Sequence, residues 1–245
     1  MAEDKVAVVA GVGPGIGARF VEIFAREGYR VAALARNADS LEQIRIGLGV
    51  TAERCVFWPT DITDQAQVKK TFLRVRNELG PVNLLICNAG GGAKRGSFLD
   101  ITPEEFLGNL HGQAFGPFLC AKEAIPEMLA HGGGTIAYIG ATSSVKGYAK
   151  SSAFATGKFA LRALAQCNAR EFGPKGIHVF HVIIDGGIDD IPLGEDREVK
   201  AGRLEVETVR WSRASGQVQC PSGLLSRAMK AHYDQNQLAT VGFSR

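Results

Sequence analysis

The chain has 245 residues, 45% apolar and 22% charged, with a formal net charge of +3 and a pI near 8.6. That is enough apolar material for one sizeable core. The basic excess is too mild and too scattered for a nucleic-acid surface, and no apolar run nears the ~20 residues of a membrane span.

The chain opens Met-Ala-Glu-Asp-Lys and enters an apolar run of only five residues, so no secretory signal is expected. The five cysteines, Cys55, Cys87, Cys120, Cys167 and Cys220, are odd in number and form no CxxC pair. Reduced thiols in the cytoplasm or another reducing intracellular compartment are the expectation.

Short apolar runs alternate with helical patterns along the chain. Val6–Ala10 reads as a first strand leading into a glycine-rich turn. Residues 18–27 then place Phe20, Val21 and Phe24 on one helical face. A second strand at Arg30–Ala35, a short helix over 40–48, a third strand over 54–58 and a helix over 63–79 follow. Val82–Cys87 is a fourth strand, almost wholly apolar, as expected where both faces of a parallel sheet are covered. Thr102-Pro103-Glu104-Glu105 has the cap, the N1 proline and the capping-box glutamate of a helix start. A fifth strand is predicted over 135–139, a long helix at Ser152–Phe172 stopped by Gly173-Pro174, and a sixth strand over 177–184. Strands separated by helices need crossovers. The fold class is therefore α/β, one domain over 1–245, with a doubly wound parallel sheet and helices on both faces. The regular pattern ends near Ile188. The divergent segment 189–245 is expected to be less ordered, above all over 197–219, with a helix near 224–232 and a frayed edge strand at 238–243.

The first turn reads Ala10-Gly11-Val12-Gly13-Pro14-Gly15-Ile16-Gly17. Glycines let a backbone approach a pyrophosphate, and the N-terminus of the next helix adds amide hydrogens and a favourable dipole. Its place between strand and helix makes the turn a dinucleotide-binding, Rossmann-type fingerprint. Glycine counting leaves the register open, since Gly13-Pro14-Gly15-Ile16-Gly17-Ala18 also fits. A carboxylate about 20 positions further on would accept a ribose 2′-hydroxyl. Here Ala35-Arg36-Asn37 stands at the end of the second strand. Arg36 can pair with a 2′-phosphate and no acid repels it; Arg19, in the first turn of the first helix, would add charge. The cofactor expected is NADP(H), ahead of NAD(H).

Further landmarks come in order: Gly11-xxx-Gly15-Ile16-Gly17, Asp61-Ile62 after the third strand, Cys87-Asn88-Ala89-Gly90 after the fourth, Asn109-Leu110-His111-Gly112 in the helix that Thr102 starts, and Lys158 in the long helix. With these motifs the stretch from Val6 to Ile188, about three-quarters of the chain, resembles the short-chain dehydrogenase/reductase family. The resemblance implies a single-domain Rossmann fold and NAD(P)-dependent carbonyl/alcohol redox chemistry on a small-molecule substrate. It implies that Asp61 and Ile62 hold the adenine, that Asn88, Ala89 and Gly90 line the cofactor, and that Gly186 admits its nicotinamide end. It implies catalytic support from Asn109 and Lys158. It also implies that the helices from Thr102 and Ser152, with small positions such as Ala114, Ala121, Ala153, Gly157 and Ala160, pair across a two-fold axis in a homodimer or homotetramer.

At the centre the chain departs from that family. The family's acid/base is a tyrosine four residues before the lysine, on the same helix face, with its phenolate favoured by the cation. Here that position is Phe154. The family's serine position, counted forward from the fifth strand or back from Phe154, is Ala141; aligning Ser143-Ser144-Val145-x-Gly147 instead gives Ser144 with a shorter loop. Thr142 and Ser143 are further hydroxyls nearby. Tyr148, ten residues before Lys158, is not brought to it by helix geometry and reads as loop packing. Cys87 reads as a buried thiol. His178 and His181, three apart on a strand, point to opposite faces and share no metal. Asp185-Gly186-Gly187 replaces the family's Pro-Gly. Two readings follow: an NADP(H)-linked oxidoreductase with an atypical proton route, and a non-catalytic NADP(H)-binding sensor or partner-binding protein.

Overall fold

The computed structural model describes residues 5–90, 96–185 and 203–207. Along the chain come β1 (Val6–Ala10), α1 (Ile16–Arg26), β2 (Arg30–Ala35), α2 (Ala38–Leu48), β3 (Cys55–Pro59), α3 (Gln65–Glu78), β4 (Val82–Cys87), α4 (Pro103–Leu110), α5 (Gly116–Ala130), β5 (Gly134–Ala141), α6 (Ser152–Phe172), β6 (Ile177–Asp185) and β7 (Arg203–Glu207). One sheet has the order β3-β2-β1-β4-β5-β6-β7. The first six strands are parallel. The chain steps outward from β1 to β3, then returns to place β4 on the other side of β1. Neighbouring strands there lead their crossovers away in opposite directions, which leaves a crevice at their carboxyl ends.

Alternation along the strands builds two cores. Val6, Val8 and Ala10 of β1 face α3, α5 and α6, through residues such as Phe72, Leu119 and Leu161. Ala7 and Val9 face α1 and α2, through Phe20, Phe24 and Leu41. Each layer thus pins β1 from one side, and the glycine turn that follows it starts from a fixed point.

Caps set several boundaries. Asn37 accepts from the amide of Ser40 at 3.0 Å and starts α2 two residues before the predicted start. Asp64 caps α3 through the amides of Ala66 and Gln67, so that helix begins after the predicted Thr63. The capping box at Thr102 and Glu105 forms as expected. Between α4 and α5 the rod continues through a π-helical turn, His111–Phe115.

One expectation is corrected. The reading of 189–245 held no strand at Arg203–Glu207, yet β7 pairs there with β6, antiparallel, Val206 opposite Val182. The stretch Arg203-Leu204-Glu205-Val206-Glu207 does alternate polar and apolar residues, the pattern of an edge strand. The predicted helix over 224–232 and edge strand over 238–243 lie outside the described residues. Among the described residues no helix is long and apolar enough to cross a membrane.

Candidate functional site

The glycine turn and the end of β4 lock together at the crevice. Gly11 has φ +99°, and a Cβ there would lie 2.6 Å from Ala89 Cα. Asn88 donates from Nδ2 to Gly11 O at 2.7 Å, and its amide donates to Ala10 O at 2.8 Å. A Cβ on Gly17 would meet Gly11 O and Val12 Cα at 2.9 Å and Asn88 Nδ2 at 3.0 Å. Gly13, by contrast, has nothing within 4 Å of its missing Cβ. Gly11 and Gly17 are therefore the glycines that packing demands, and Gly13 faces open space. Gly15 is the N-cap of α1, with no side-chain cap and no acid in the first turn. Ile16 is buried beneath it.

Arg36 is exposed at the carboxyl end of β2. Asn37 is committed to capping α2. Arg19 differs from its expected part: it is buried and binds Glu22 at 2.6 Å, a carboxylate also held by Arg26 at 2.7 Å. Its charge is balanced inside α1. Asp61 folds back on its own turn, one carboxylate oxygen accepting from Thr63 N at 2.9 Å and Thr63 Oγ1 at 2.8 Å. Ile62 is buried, and a Cβ on Gly116 would come within 2.7 Å of its Cγ1. Gly116 thus lets α5 seat directly on the end of β3.

Lys158 lies on α6 with 6% of its surface exposed, and its Nζ donates to Ile139 O of β5 at 2.9 Å. Burial pulls its pKa down to about 8. A Cβ on Gly90, which has φ +129°, would stand 3.2 Å from that Nζ and 2.8 Å from Gln113 Cγ. Sequence reasoning missed Gln113. It is 1% exposed, and its Nε2 donates to Asn109 Oδ1 at 3.0 Å. Its Oε1 is buried with no hydrogen-bond partner among the described residues. Asn109 is engaged along its own rod, donating to Glu105 O at 2.8 Å and accepting from Gln113. The side chain beside Gly90 and Lys158 is Gln113. The π-helical turn, a feature concentrated at functional sites, brings it there by adding a residue to the turn. One signal was present: Gln113 is the sole polar side chain in the run from Gly112 to Cys120.

Phe154 is half-buried one turn before Lys158, its ring centre 5.8 Å from Nζ. Ala141 is half-buried at the end of β5. Two of the nearby hydroxyls are engaged elsewhere. Ser144 is fully buried and its Oγ accepts from Ala141 N at 3.1 Å. Thr142 Oγ1 donates to Ile184 O at 3.4 Å. Ser143 is 6% exposed, whereas Tyr148 is 45% exposed with Lys146 above its ring.

The remaining polar groups of this region are packed. Burial pushes the Cys87 thiol well up and that of Cys120 to about 12. The Tyr138 hydroxyl accepts from Asn168 Nδ2 at 2.7 Å inside the core. His181 is fully buried, its ring filling the space that a Cβ on Gly140 would need. His178 leans on Phe180. Among the described residues no cluster of His, Cys, Asp and Glu could hold a metal. Gly186 lies outside the described residues.

Known proteins resemble this chain in sequence and in fold. The family model described as short chain dehydrogenase matches residues 5–191. A short-chain dehydrogenase/reductase of Armillaria gallica is 35% identical over 184 residues, 73% of this chain and 69% of the relative. The crystal structure of a short-chain dehydrogenase from Rhodopseudomonas palustris superposes with a TM-score of 0.68 at 35% identity, over 76% of this chain and 86% of that one. A 7α-hydroxysteroid dehydrogenase complexed with NADH and 7-oxo glycochenodeoxycholic acid gives a TM-score of 0.68 at 27% identity, over 73% of this chain and 70% of that one. The chain belongs to the short-chain dehydrogenase/reductase family of oxidoreductases.

Proposed function

We propose that the protein is an NADP(H)-linked carbonyl/alcohol oxidoreductase whose proton route does not run through a side chain at position 154. The observation that carries this reading is the cradle at the crevice. Gly11, Gly17 and Gly90 are each positions where a Cβ would collide with Ala89, Gly11 O or Gln113, which packs the glycine turn tightly against the end of β4 and the approach to α5, while Gly13 of the same turn faces open space. Gly11, Gly13, Gly15, Ile16 and Gly17 would hold the pyrophosphate; Asp61 and Ile62 the adenine; Asn88, Ala89, Gly90 and Lys158 the nicotinamide half, with Gly186 completing that end. Arg36, exposed and followed by no acid at 35–37, favours a 2′-phosphate over a bare ribose. When bound, the cofactor supplies or removes a hydride. Lys158 places a buried cation at that end, and Gln113, bonded to Asn109, lies against Gly90 beside it. Phe154 would stand at the family's tyrosine position, and Ala141 or Ser144 at its serine position.

The test is a fluorescence titration with NADPH and NADH, beside turnover of para-nitrobenzaldehyde, cyclohexanone and ethyl acetoacetate. Tighter NADPH binding and NADPH oxidation with any of these carbonyls support the reading; equal affinity for the two cofactors at fixed salt removes the NADP preference. The second reading, a non-catalytic NADP(H)-binding protein, draws support from Phe154 and Ala141, neither of which can donate a proton. NADPH binding without turnover of any carbonyl is its signature.

Assembly as a homodimer or homotetramer is part of the proposal. Ala121, Ala153 and Gly157 are buried within the chain, so they do not make an outer surface. Leu107, Phe115, Phe118, Leu129 and Phe159 do lie exposed on α4, the π-helical turn, α5 and α6, with the rings of Phe115 and Phe118 stacked at 6.3 Å. Large exposed apolar groups of this kind mark interaction surfaces. Light scattering at micromolar concentration reads the outcome, and a monomer refutes it. Four free cysteines among the described residues, two of them fully buried, support a reducing compartment.

A further inference from the structure

Reduction of a carbonyl needs a proton as well as a hydride, and the site offers few sources. Phe154 and Ala141 have none. Ser144 Oγ is buried against Ala141 N, Thr142 Oγ1 points to Ile184 O, and Tyr148 sits on the surface beside Lys146. Lys158 differs from all of these. Its Nζ lies beside Gly90, where the cradle meets α6, and Ile139 O takes one of its three N–H groups. Phe154, whose ring is 5.8 Å away, is half-buried, as is Ala141, two residues beyond Ile139, so the rim of this corner is partly exposed while Nζ itself is buried behind it.

We propose that Lys158 is itself the proton donor and acceptor of the reaction, working through a water beside Phe154. This rests on the oxidoreductase reading above. In reduction, the carbonyl carbon receives the hydride from the reduced nicotinamide and the C=O π pair moves to oxygen. That oxygen takes a proton from the water, and the water takes one from Nζ. The ammonium becomes a neutral amine and regains its proton from solvent before the next turnover. Oxidation of the alcohol reverses each transfer.

The direction of the lysine's titration supports this part. A proton relay works best when its pKa lies near the working pH, and burial brings Lys158 to about 8. No facing charge is needed for that shift. From β4 and β5 the titratable groups are Cys87 and Tyr138, both buried and held neutral. From β6 they are His181, packed at Gly140, and His178, half-buried at Phe180. His111 on the π-helical turn is exposed, and Glu104 and Glu105 sit at the far end of α4, the latter in the capping box.

The experiment has two arms on the full chain. In the first, the NMR shift of the Lys158 Cε is followed against pH, assigned by its loss in Lys158→Arg. A midpoint near 8 is expected; a midpoint at the ordinary lysine value overturns the proposal, with no cofactor or turnover involved. In the second, single-turnover reduction of para-nitrobenzaldehyde by bound NADPH is measured against pH. The rate should fall about tenfold per unit above the lysine midpoint, and oxidation of the alcohol should rise over the same range. At saturating NADPH, Lys158→Arg and Lys158→Met should lower single-turnover reduction by ~10²–10⁴-fold, beyond any loss of cofactor affinity. A rate flat with pH, or Lys158→Arg as fast as wild type, overturns the proposal alone. NADPH binding with no turnover of any carbonyl overturns the oxidoreductase reading, and this proposal with it.

Discussion

The two halves of the crevice are built on different principles. On the β1–β4 side, Gly11, Gly17, Asn88 and Ala89 fit so closely that backbone sterics dictate the residues. On the β5–α6 side, Ala141 and Phe154 are half-buried, so a hydroxyl there would not have to be fully desolvated. A dinucleotide cradle depends on the absence of side chains, which the fold itself enforces. A proton relay depends on what a few side chains carry, which the fold tolerates either way. The first half can therefore stay intact while the second is rebuilt.

The sharpest way to break this contrast is Gly11→Ala. The new Cβ meets Ala89 at a φ of +99°, so strain and collision add. We expect destabilisation of about 2–4 kcal/mol and loss of NADPH binding, read by thermal melts and titration. Unchanged binding and melting would mean that the cradle is loose and the contrast unfounded. Phe154→Tyr tests the other half. It adds one oxygen to a half-buried ring, so folding should hardly change. We expect carbonyl reduction to rise by ~10²-fold or more, and further with Ala141→Ser, since a positioned acid is worth that much. If wild type turns over briskly and the tyrosine slows it, the existing proton route is complete and position 154 has no vacancy to fill.

A third prediction concerns the lysine between the halves. Its folded-state pKa of about 8 lies below the ordinary value of 10.5. Protonation is thus harder in the folded chain, and the penalty is fully present below the folded value. It fades as pH rises toward 10.5, where the unfolded chain also loses the proton. Lys158→Met should therefore be more stable than wild type at neutral pH, by at most ~3 kcal/mol, less what the bond to Ile139 O contributes. That gain should shrink through the alkaline range, as chemical denaturation at several pH values would show. Comparison with wild type removes the opposing alkaline titration of Cys87, Cys120 and Tyr138. The smallest effect is expected from Arg36→Asp, which should reverse the proposed preference for NADPH over NADH by about tenfold each way. No change in preference would remove Arg36 from the cradle.

Much of the molecule could be read from local pattern. Six strands fall where apolar runs predicted them, because a parallel strand buried on both faces must be apolar throughout. The capping box at Thr102 was legible because its four residues act on one another. Asn88 and Ala89 were found by motif, and their contacts with Gly11 give that motif a steric cause. Other features gave weaker signals. The place of Arg19 in the first turn suggests added charge for the cofactor, but its guanidinium is paired with Glu22, three residues on. The motif points to Asn109 for catalytic support and gives no sign of Gln113, the side chain that meets Gly90 and bonds Asn109.

What the sequence determined by itself was whatever depends on near neighbours: strand and helix order, the caps, the glycine turn, and the phenylalanine four residues before Lys158. Tertiary structure alone decided the rest. The π-helical turn shifts the helix phase so that Gln113 faces inward. An antiparallel β7 closes on β6 from 18 residues beyond its end, as Asp185 pairing Arg203 shows. Lys158 becomes a buried amine with a lowered pKa because β5, the end of β4 and the α4–α5 rod enclose it. Phase, pairing and desolvation each depend on groups distant in sequence, and residue spacing carries no record of them.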